Sequence, residues 1–404
     1  MPFRRIIFWL HLACGVVAGL VIGIMSFTGL TLTFEKQIIA WAEHDFRHVA
    51  PPSPNAPRLT LDALIARARE NNPDTPATGI TVSADPTEAV AIAFGREATV
   101  YANPYTGEIR APASTRARDF FHTMENWHRS LGLSDGHRAL GRAITGACNA
   151  AFLVLALTGL YLWWPRRWTR RALRAIALFD FKLAGKARDW NWHNTAGSWC
   201  ALVLVVLTAS GVVLSYRWAN NLVYRLAGET PPAVGGPGGF GRPALAVPTP
   251  PAGAHPFGYG ALLASVQREI PAWDTISLRL GNSARGPRAE HSTEESSQAR
   301  PARSREHDHA VSPVTVSLRA RNSWPFFATT TLTLDPFTGA VLQRDDFPDL
   351  GPGRRARTWL RFLHTGEALG PAGQFVAALA SLGGCLLVYT GLALAWRRFF
   401  SRST

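Results

Sequence analysis

Four apolar runs of membrane length constrain this 404-residue chain more than any other feature. They fall at roughly 8–34, 141–164, 197–218 and 373–396, and a helix of about 20 residues crosses about 30 Å of hydrocarbon. A mean hydropathy of +0.01 hides this split between apolar runs and polar, Pro/Gly-rich segments. Arg4 and Arg5 precede the first run, as they would in a signal peptide. That run is too long for a signal h-region, however, and Glu35-Lys36 closes it without a small-residue cleavage site. It reads as a retained span.

Basic residues near span ends give the expected orientation. The connection between spans two and three carries Arg166, Arg167, Arg170, Arg171, Arg174, Lys182, Lys186 and Arg188 against Asp180 and Asp189. With Arg4/Arg5 and Arg397/Arg398, this places both termini on the cytoplasmic side. The long segments 35–140 and 219–372 then lie outside, in the periplasm of a Gram-negative inner membrane. Arg354, Arg355, Arg357 and Arg361 also lie outside, but long domains translocate largely regardless of charge. The formal charge of +14 thus reflects topology and attraction to membrane lipid. No nucleic-acid module accompanies it, so no nucleic-acid partner is expected. Cys14, Cys148, Cys200 and Cys385 fall one per apolar run and read as small apolar fillers. No disulfide framework supports the exported segments, and no Cys-x-x-Cys-His haem-attachment motif occurs.

Two spans open on a histidine. Trp9-Leu10-His11-Leu12-Ala13-Cys14-Gly15 starts the first, and Asn191-Trp192-His193-Asn194-Thr195-Ala196-Gly197 the third. In each, a second glycine follows eighteen residues after the histidine, Gly29 and Gly211. Segments before spans two and four carry Trp127-His128-Arg129-Ser130-Leu131-Gly132 and the reduced Phe362-Leu363-His364-Thr365-Gly366. The exits repeat as well, in Thr158-Gly159-Leu160-Tyr161-Leu162-Trp163-Trp164-Pro165 and Thr390-Gly391-Leu392-Ala393-Leu394-Ala395-Trp396. One unit is written twice.

The exported segments repeat too. The first shows a helical pattern at 59–68, then strand-like runs at 79–82, 89–94 and 98–102. Its last strand enters the turn Asn103-Pro104-Tyr105-Thr106-Gly107. The second follows the Pro/Gly-dense linker 228–256, with a helix at 261–266 and strands at 274–280 and 330–334. It ends in Asp335-Pro336-Phe337-Thr338-Gly339. The stretch 282–312 is polar, has no apolar period and reads as a disordered insertion holding His291, His307 and His309.

The two turns resemble the terminal hairpin of PepSY domains. A PepSY domain followed by a histidine segment and a span resembles the PepSY-associated transmembrane family, nearly end to end. That resemblance implies an α-helical membrane protein of four transmembrane helices, built from a duplicated helix–PepSY–helix unit with two exported α+β PepSY-like domains. The expected order is span one at 1–34, the first exported domain at 35–118, and a histidine segment with span two at 119–167. A basic cytoplasmic loop at 168–190 and span three at 191–218 follow. The second exported domain is then 219–353, the histidine segment with span four 354–398, and the tail 399–404. The functional relatives it implies are inner-membrane ferric-siderophore reductases and similar iron-regulated membrane proteins.

The histidines carry the expected chemistry. Ionisable residues at span ends tend to face the bundle interior or a polar path. His11 and His193 share the cytoplasmic level, and His128 and His364 the outer level. Two pairs at two levels match two stacked haems b, each iron held axially by two imidazoles. The alternative for each is an interfacial hydrogen-bonding histidine. His122 and His137 compete for the outer site, whereas His44 and His48 read as solvated. Arg129, Arg142 and Arg361 are placed either for haem propionates or for interfacial anchoring. Trp9, Trp163, Trp164, Trp192 and Trp396 read as the aromatic belt.

No Gly-x-Gly-x-x-Gly follows a strand, and there is no P-loop, Gly-x-Ser-x-Gly or His-Glu-x-x-His. Reducing equivalents are therefore expected from a partner, a cytoplasmic reductant or flavoprotein donor. The expected activity is haem-dependent reduction of a ferric siderophore or other iron chelate. The competing reading is a haem-free anchor whose PepSY domains bind or restrain a protein partner. A permease is disfavoured, because the spans lack internal carboxylates and broken segments.

Overall fold

The computed structural model describes residues 2–73, 75–95, 98–112, 115–165, 169–232, 247, 253–280 and 313–400. The insertion 282–312, its three histidines and most of the linker lie outside these. In chain order the helices are α1 (Pro2–Leu32), α2 (Glu35–Ala42), α3 (His44–Arg47), α4 (Leu61–Glu70), α5 (Arg116–Ser130) and α6 (Arg138–Trp163). They continue with α7 (Arg170–Ala177), α8 (Gly185–Ser215), α9 (Arg217–Leu226), α10 (Tyr259–Glu269), α11 (Pro352–Thr365) and α12 (Gly370–Phe399). The strands are β1 (Ala77–Ser83), β2 (Val90–Phe94), β3 (Ala98–Ala102), β4 (Ile109–Arg110), β5 (Trp273–Arg279), β6 (Val314–Ala320), β7 (Thr330–Leu334) and β8 (Val341–Asp345).

Helices α1, α6, α8 and α12 are each long and apolar enough to cross a membrane, so this is a multi-pass membrane protein. They close a ring in which α1 and α8 each pack against both α6 and α12. The bundle turns large apolar side chains outward, among them Val17, Leu20, Trp199, Leu202 and Leu379. Its interior holds small and hydroxyl residues such as Ser26, Thr28, Ala156, Ser210, Ala380 and Thr390. Such interiors suit a bilayer, where close backbone approach and interhelical hydrogen bonds replace the hydrophobic drive.

Helix α8 starts at Gly185, well before the apolar run expected from 197. The added turns tolerate Asp189, which is fully buried, because Arg188 donates to one carboxylate oxygen and Arg397 of α12 to the other. A buried charge persists when paired in this way. The consequence is positional: His193 lies inside a helix and not at its mouth.

On the other side of the bundle, the sheet-forming segments of both halves enter one antiparallel sheet ordered β4-β3-β2-β1-β5-β6-β7-β8. The seam between halves is β1–β5, with Ile80 opposite Leu278 and Val82 opposite Ile276. Thr81 and Ser277 bridge the same seam by a 2.9 Å hydroxyl contact. Helices α4 and α10 pack against one face, and a single core runs through Leu64, Ile80, Ile92, Leu262, Ile276 and Leu332. Each such side chain contributes about 1.5–3 kcal/mol when fully buried, so the seam is core and not a contact between separate bodies. Asp62 of α4 reinforces it by accepting from the backbone N–H of Tyr259 (2.8 Å) and Gly260 (3.0 Å) at the start of α10.

The two turns match in detail. Asn103 Oδ1 accepts from Tyr105 N at 2.9 Å, and Asp335 Oδ1 from Phe337 N at 2.8 Å. Gly107 (φ +74°) and Gly339 (φ +66°) follow in the left-handed region that glycine tolerates. Strand β6 was not expected from the sequence. It follows the polar insertion, but Val314, Val316 and Leu318 alternate with polar residues as a half-buried strand requires.

Candidate functional site

Inside the bundle, His11 of α1 faces His193 of α8, with ring centres 6.3 Å apart and planes at 90°. Towards the sheet, His128 of α5 faces His364 of α11, again at 6.3 Å, with planes at 56°. Each pair takes one histidine from each half of the chain. The four sequence-selected histidines thus meet as two pairs at two levels.

A hydroxyl anchors every ring. His11 Nδ1 lies 2.9 Å from Thr158 Oγ1, and His193 Nδ1 3.0 Å from Thr390 Oγ1. His128 Nδ1 lies 3.0 Å from Thr28 Oγ1 and 3.1 Å from the Met25 carbonyl. His364 Nδ1 lies 3.2 Å from Ser210 Oγ and 2.9 Å from the Leu207 carbonyl. Every hydroxyl sits on the other long helix, or on the span, of the histidine's own half.

A glycine follows each hydroxyl residue. A Cβ at Gly29 or Gly159 would lie 3.4 Å from Cε1 of His128 or His11, and one at Gly391 3.3 Å from that of His193. These three leave room for a ring edge. The fourth, Gly211, packs against Asn149 instead. A groove of about 410 Å³ opens beside Thr28 between spans one and four, lined by Leu20, Gly23, Ile24, Trp127 and Val388.

His128 and His364 lie outside the four spans, and loss of solvation lowers both pKa values. His128 is pushed down to about 4, by burial first and then by the neighbouring His364 and Arg129. Both rings are neutral at pH 7, the form that ligates metals. Among the described residues, no three His, Cys, Asp or Glu side chains gather as a metal site. Each pair therefore offers two nitrogen donors and no third ligand.

The family profile of the PepSY-associated TM region matches residues 8–398. The chain belongs to that family. No curated protein matches it. In this PepSY-associated protein the remaining described histidines stand apart from the pairs. His122 and His137 are exposed on the sheet side, and His44 and His48 stack on each other at 3.9 Å, also exposed. Arg129 pairs with Glu125 at 2.6 Å, Arg361 lies over the Phe362 ring, and Arg142 is exposed.

The sequence reading singled out the histidines and glycines but missed Thr28, Thr158, Ser210 and Thr390 as partners. The signal was present: each long helix carries a hydroxyl–glycine dipeptide beside a histidine, Thr28-Gly29, Thr158-Gly159, Ser210-Gly211 and Thr390-Gly391, although α6 holds a second, Thr145-Gly146, that meets none. A threonine in an apolar helix ordinarily reads as satisfied by its own backbone. That default concealed the second partner.

Proposed function

We propose that this protein is a di-haem b oxidoreductase of the bacterial inner membrane. It carries electrons from the cytoplasmic side to the periplasm, reduces a ferric siderophore or similar Fe³⁺ chelate, and so releases iron. The observation that carries the proposal is the double pairing of His11 with His193 and His128 with His364.

The donor set fits. Two metal–imidazole bonds of about 2 Å each, plus the two half-rings, span about 6 Å, which matches the separation of ring centres. Among the described residues no third His, Cys, Asp or Glu joins either pair, so a metal that brings its other ligands with it, as a haem iron does, would suit them. His11 and His193 would hold one haem, and His128 and His364 the other. Held between two imidazoles, a haem would supply one-electron exchange without binding substrate. The neutral rings and apolar groove suit a flat, hydrophobic macrocycle.

Orientation rests on the loop between spans two and three, where Arg170, Arg174, Lys182, Lys186 and Arg188 outnumber Asp180 and Asp189. The sheet then faces the periplasm and presents the chelate-binding side. The sequence holds no nucleotide-binding module, so the donor is a separate cytoplasmic reductant or flavoprotein. Each electron converts one Fe³⁺ to Fe²⁺, which siderophores hold less well.

The test is the dithionite-reduced minus oxidised spectrum of purified protein, with haem counted per chain, beside His193→Ala and His128→Ala. The expected result is two b-type haems, about one lost in each variant. Colourless protein from haem-replete cells would overturn the proposal in favour of the haem-free PepSY anchor.

A further inference from the structure

We infer that Thr28, Thr158, Ser210 and Thr390 are positioning residues that, joined by a backbone carbonyl at His128 and at His364, accept from Nδ1–H and hold all four histidines in that tautomer, leaving each Nε2 a bare lone pair for the metal. The ligand role of that lone pair rests on the haem reading above; the tautomer assignment does not.

The argument is a proton count. A hydroxyl has one proton to donate and lone pairs with which to accept. Thr158 Oγ1 lies 2.6 Å from the Val154 carbonyl four residues back, and Thr28 Oγ1 2.7 Å from that of Ile24. Ser210 Oγ lies 2.7 Å from the Val206 carbonyl, and Thr390 Oγ1 2.7 Å from that of Leu386. A carbonyl only accepts, so each hydroxyl spends its proton on its own helix. The contact to imidazole must then run the other way, with Nδ1–H donating to the hydroxyl oxygen. A neutral imidazole has one N–H, so Nε2 is left unprotonated. The Met25 and Leu207 carbonyls near His128 and His364 demand the same direction, since they too only accept.

Four independent sites give the same answer. Facing rings whose Nε2 atoms are both unprotonated cannot hydrogen-bond to each other. They suit a cation between them. Every anchor also lies within the histidine's own half of the chain, so each half supplies both ligands together with their acceptors. A metal-ligating histidine ordinarily donates its other ring N–H to such an outer partner, which fixes ring and tautomer together.

His11 makes the sharpest test, because Thr158 is its one hydrogen-bond partner among the described residues. Full-length protein labelled with ¹⁵N-histidine, produced without haem supply and placed in lipid bilayers, reports the tautomer by solid-state NMR. His11→Gln assigns the resonances. We expect a protonated Nδ1 and an unprotonated Nε2 for His11 in the wild type, a gain of Nε2–H in Thr158→Val, and recovery in Thr158→Ser. Thr28→Val leaves the His128 tautomer unchanged, since the Met25 carbonyl still accepts. In haem-loaded protein, Thr158→Val weakens haem retention about 10–100-fold, read as transfer to a haem-scavenging apoprotein. Wild-type His11 protonated at Nε2, or resonances unmoved in Thr158→Val, would overturn the inference. The haem reading fails by a different signal, a colourless wild type from haem-replete cells, and the NMR result stands or falls without it.

Discussion

The helices that carry the outer histidines, α5 and α11, are equivalent in the duplicated unit, yet different physics ties each to the sheet side. On α5, Arg118 donates from Nε and Nη2 to the carboxylate of Glu43, which also accepts from Tyr101 Oη at 2.6 Å. Glu43 is buried, with its side chain 4% exposed. On α11, the Phe362 ring stacks on Phe327 at 4.2 Å, while Trp359 and Phe347 meet Phe327 edge-on at 4.9 and 5.5 Å. One half uses a charged clamp and the other an aromatic cluster. The geometry of the outer pair therefore depends on two contacts with opposite sensitivities. The charged one responds to pH, and the aromatic one responds only to packing.

The largest test of this contrast is Phe327→Ala. Removing a buried phenylalanine costs about 3–5 kcal/mol, and here the loss falls on the cluster that seats α11. Amide hydrogen exchange should show α11 opening far more readily while α5 keeps its protection, at pH 5 and pH 8 alike. Equal loosening of both helices would mean that the halves are not separately tied. The mirror experiment is Glu43→Gln, which keeps the shape but removes the charge. Hydrogen bonds to charged groups contribute about 1.5–3 kcal/mol, so α5 should lose protection by less than α11 loses in Phe327→Ala.

How much of this was readable from the sequence follows from the range of each contact. The spans were legible because membrane length is a local property. The repeat was legible because His11 and His193 stand at equal spacing from their glycines. The seam β1–β5 was not, since nothing local to Thr81 announces Ser277, 196 positions away. The clamp was hidden for the same reason. Nothing local to Glu43 announces Arg118, 75 residues on. The extension of α8 to Gly185 was hidden because Asp189 looks like a loop residue until Arg188 and Arg397 close on it. Local patterns gave the elements, and paired polar groups decided where they ended and joined.

The clamp also predicts a pH response with a definite sign. Burial pushes the Glu43 carboxyl up, but hydrogen bonds from Arg118 and Tyr101 more than offset it and leave the pKa below the ordinary value of 4.5. The clamp is thus fully present above that ordinary value and is lost as pH falls through the depressed one. Burial first, then the hydrogen bond and charge of Glu43, raise the Tyr101 pKa from 10.0 to about 12. That contribution is full below the ordinary value and fades as pH rises towards the folded one. Hydrogen exchange of α5, corrected for intrinsic rates, should therefore loosen at both extremes, and Glu43→Gln should shrink the acid limb to the part set by charging of the buried His128. The α11 cluster has no ionisable member, so α11 should show no alkaline limb, and its acid limb, set by charging of the buried His364, should not respond to Glu43→Gln. An alkaline limb on α11 equal to that on α5, or an α11 acid limb that shrinks in Glu43→Gln, would erase the distinction.

The smallest effect concerns the junction of the halves, where two polar contacts lie side by side. Gln374 of α12 is buried, accepts from Gln37 at 2.7 Å and donates to the Thr33 carbonyl at 2.6 Å. Beside it, Lys36 reaches Glu367 at 2.6 Å, but the lysine side chain is 70% exposed. Coulomb attraction at such a site is screened by water, and ordering a long lysine offsets part of it. Lys36→Ala should change thermal stability by no more than about 1 kcal/mol, the usual range for an exposed pair, and salt should remove even that. Gln374→Ala leaves buried groups unmatched and should cost about 1–3 kcal/mol, insensitive to salt. If Lys36→Ala proved the costlier, the halves would be joined at this edge by surface charge, and the buried relay would be filler. The expected order makes burial, not formal charge, the determinant of what holds the duplicated halves in register.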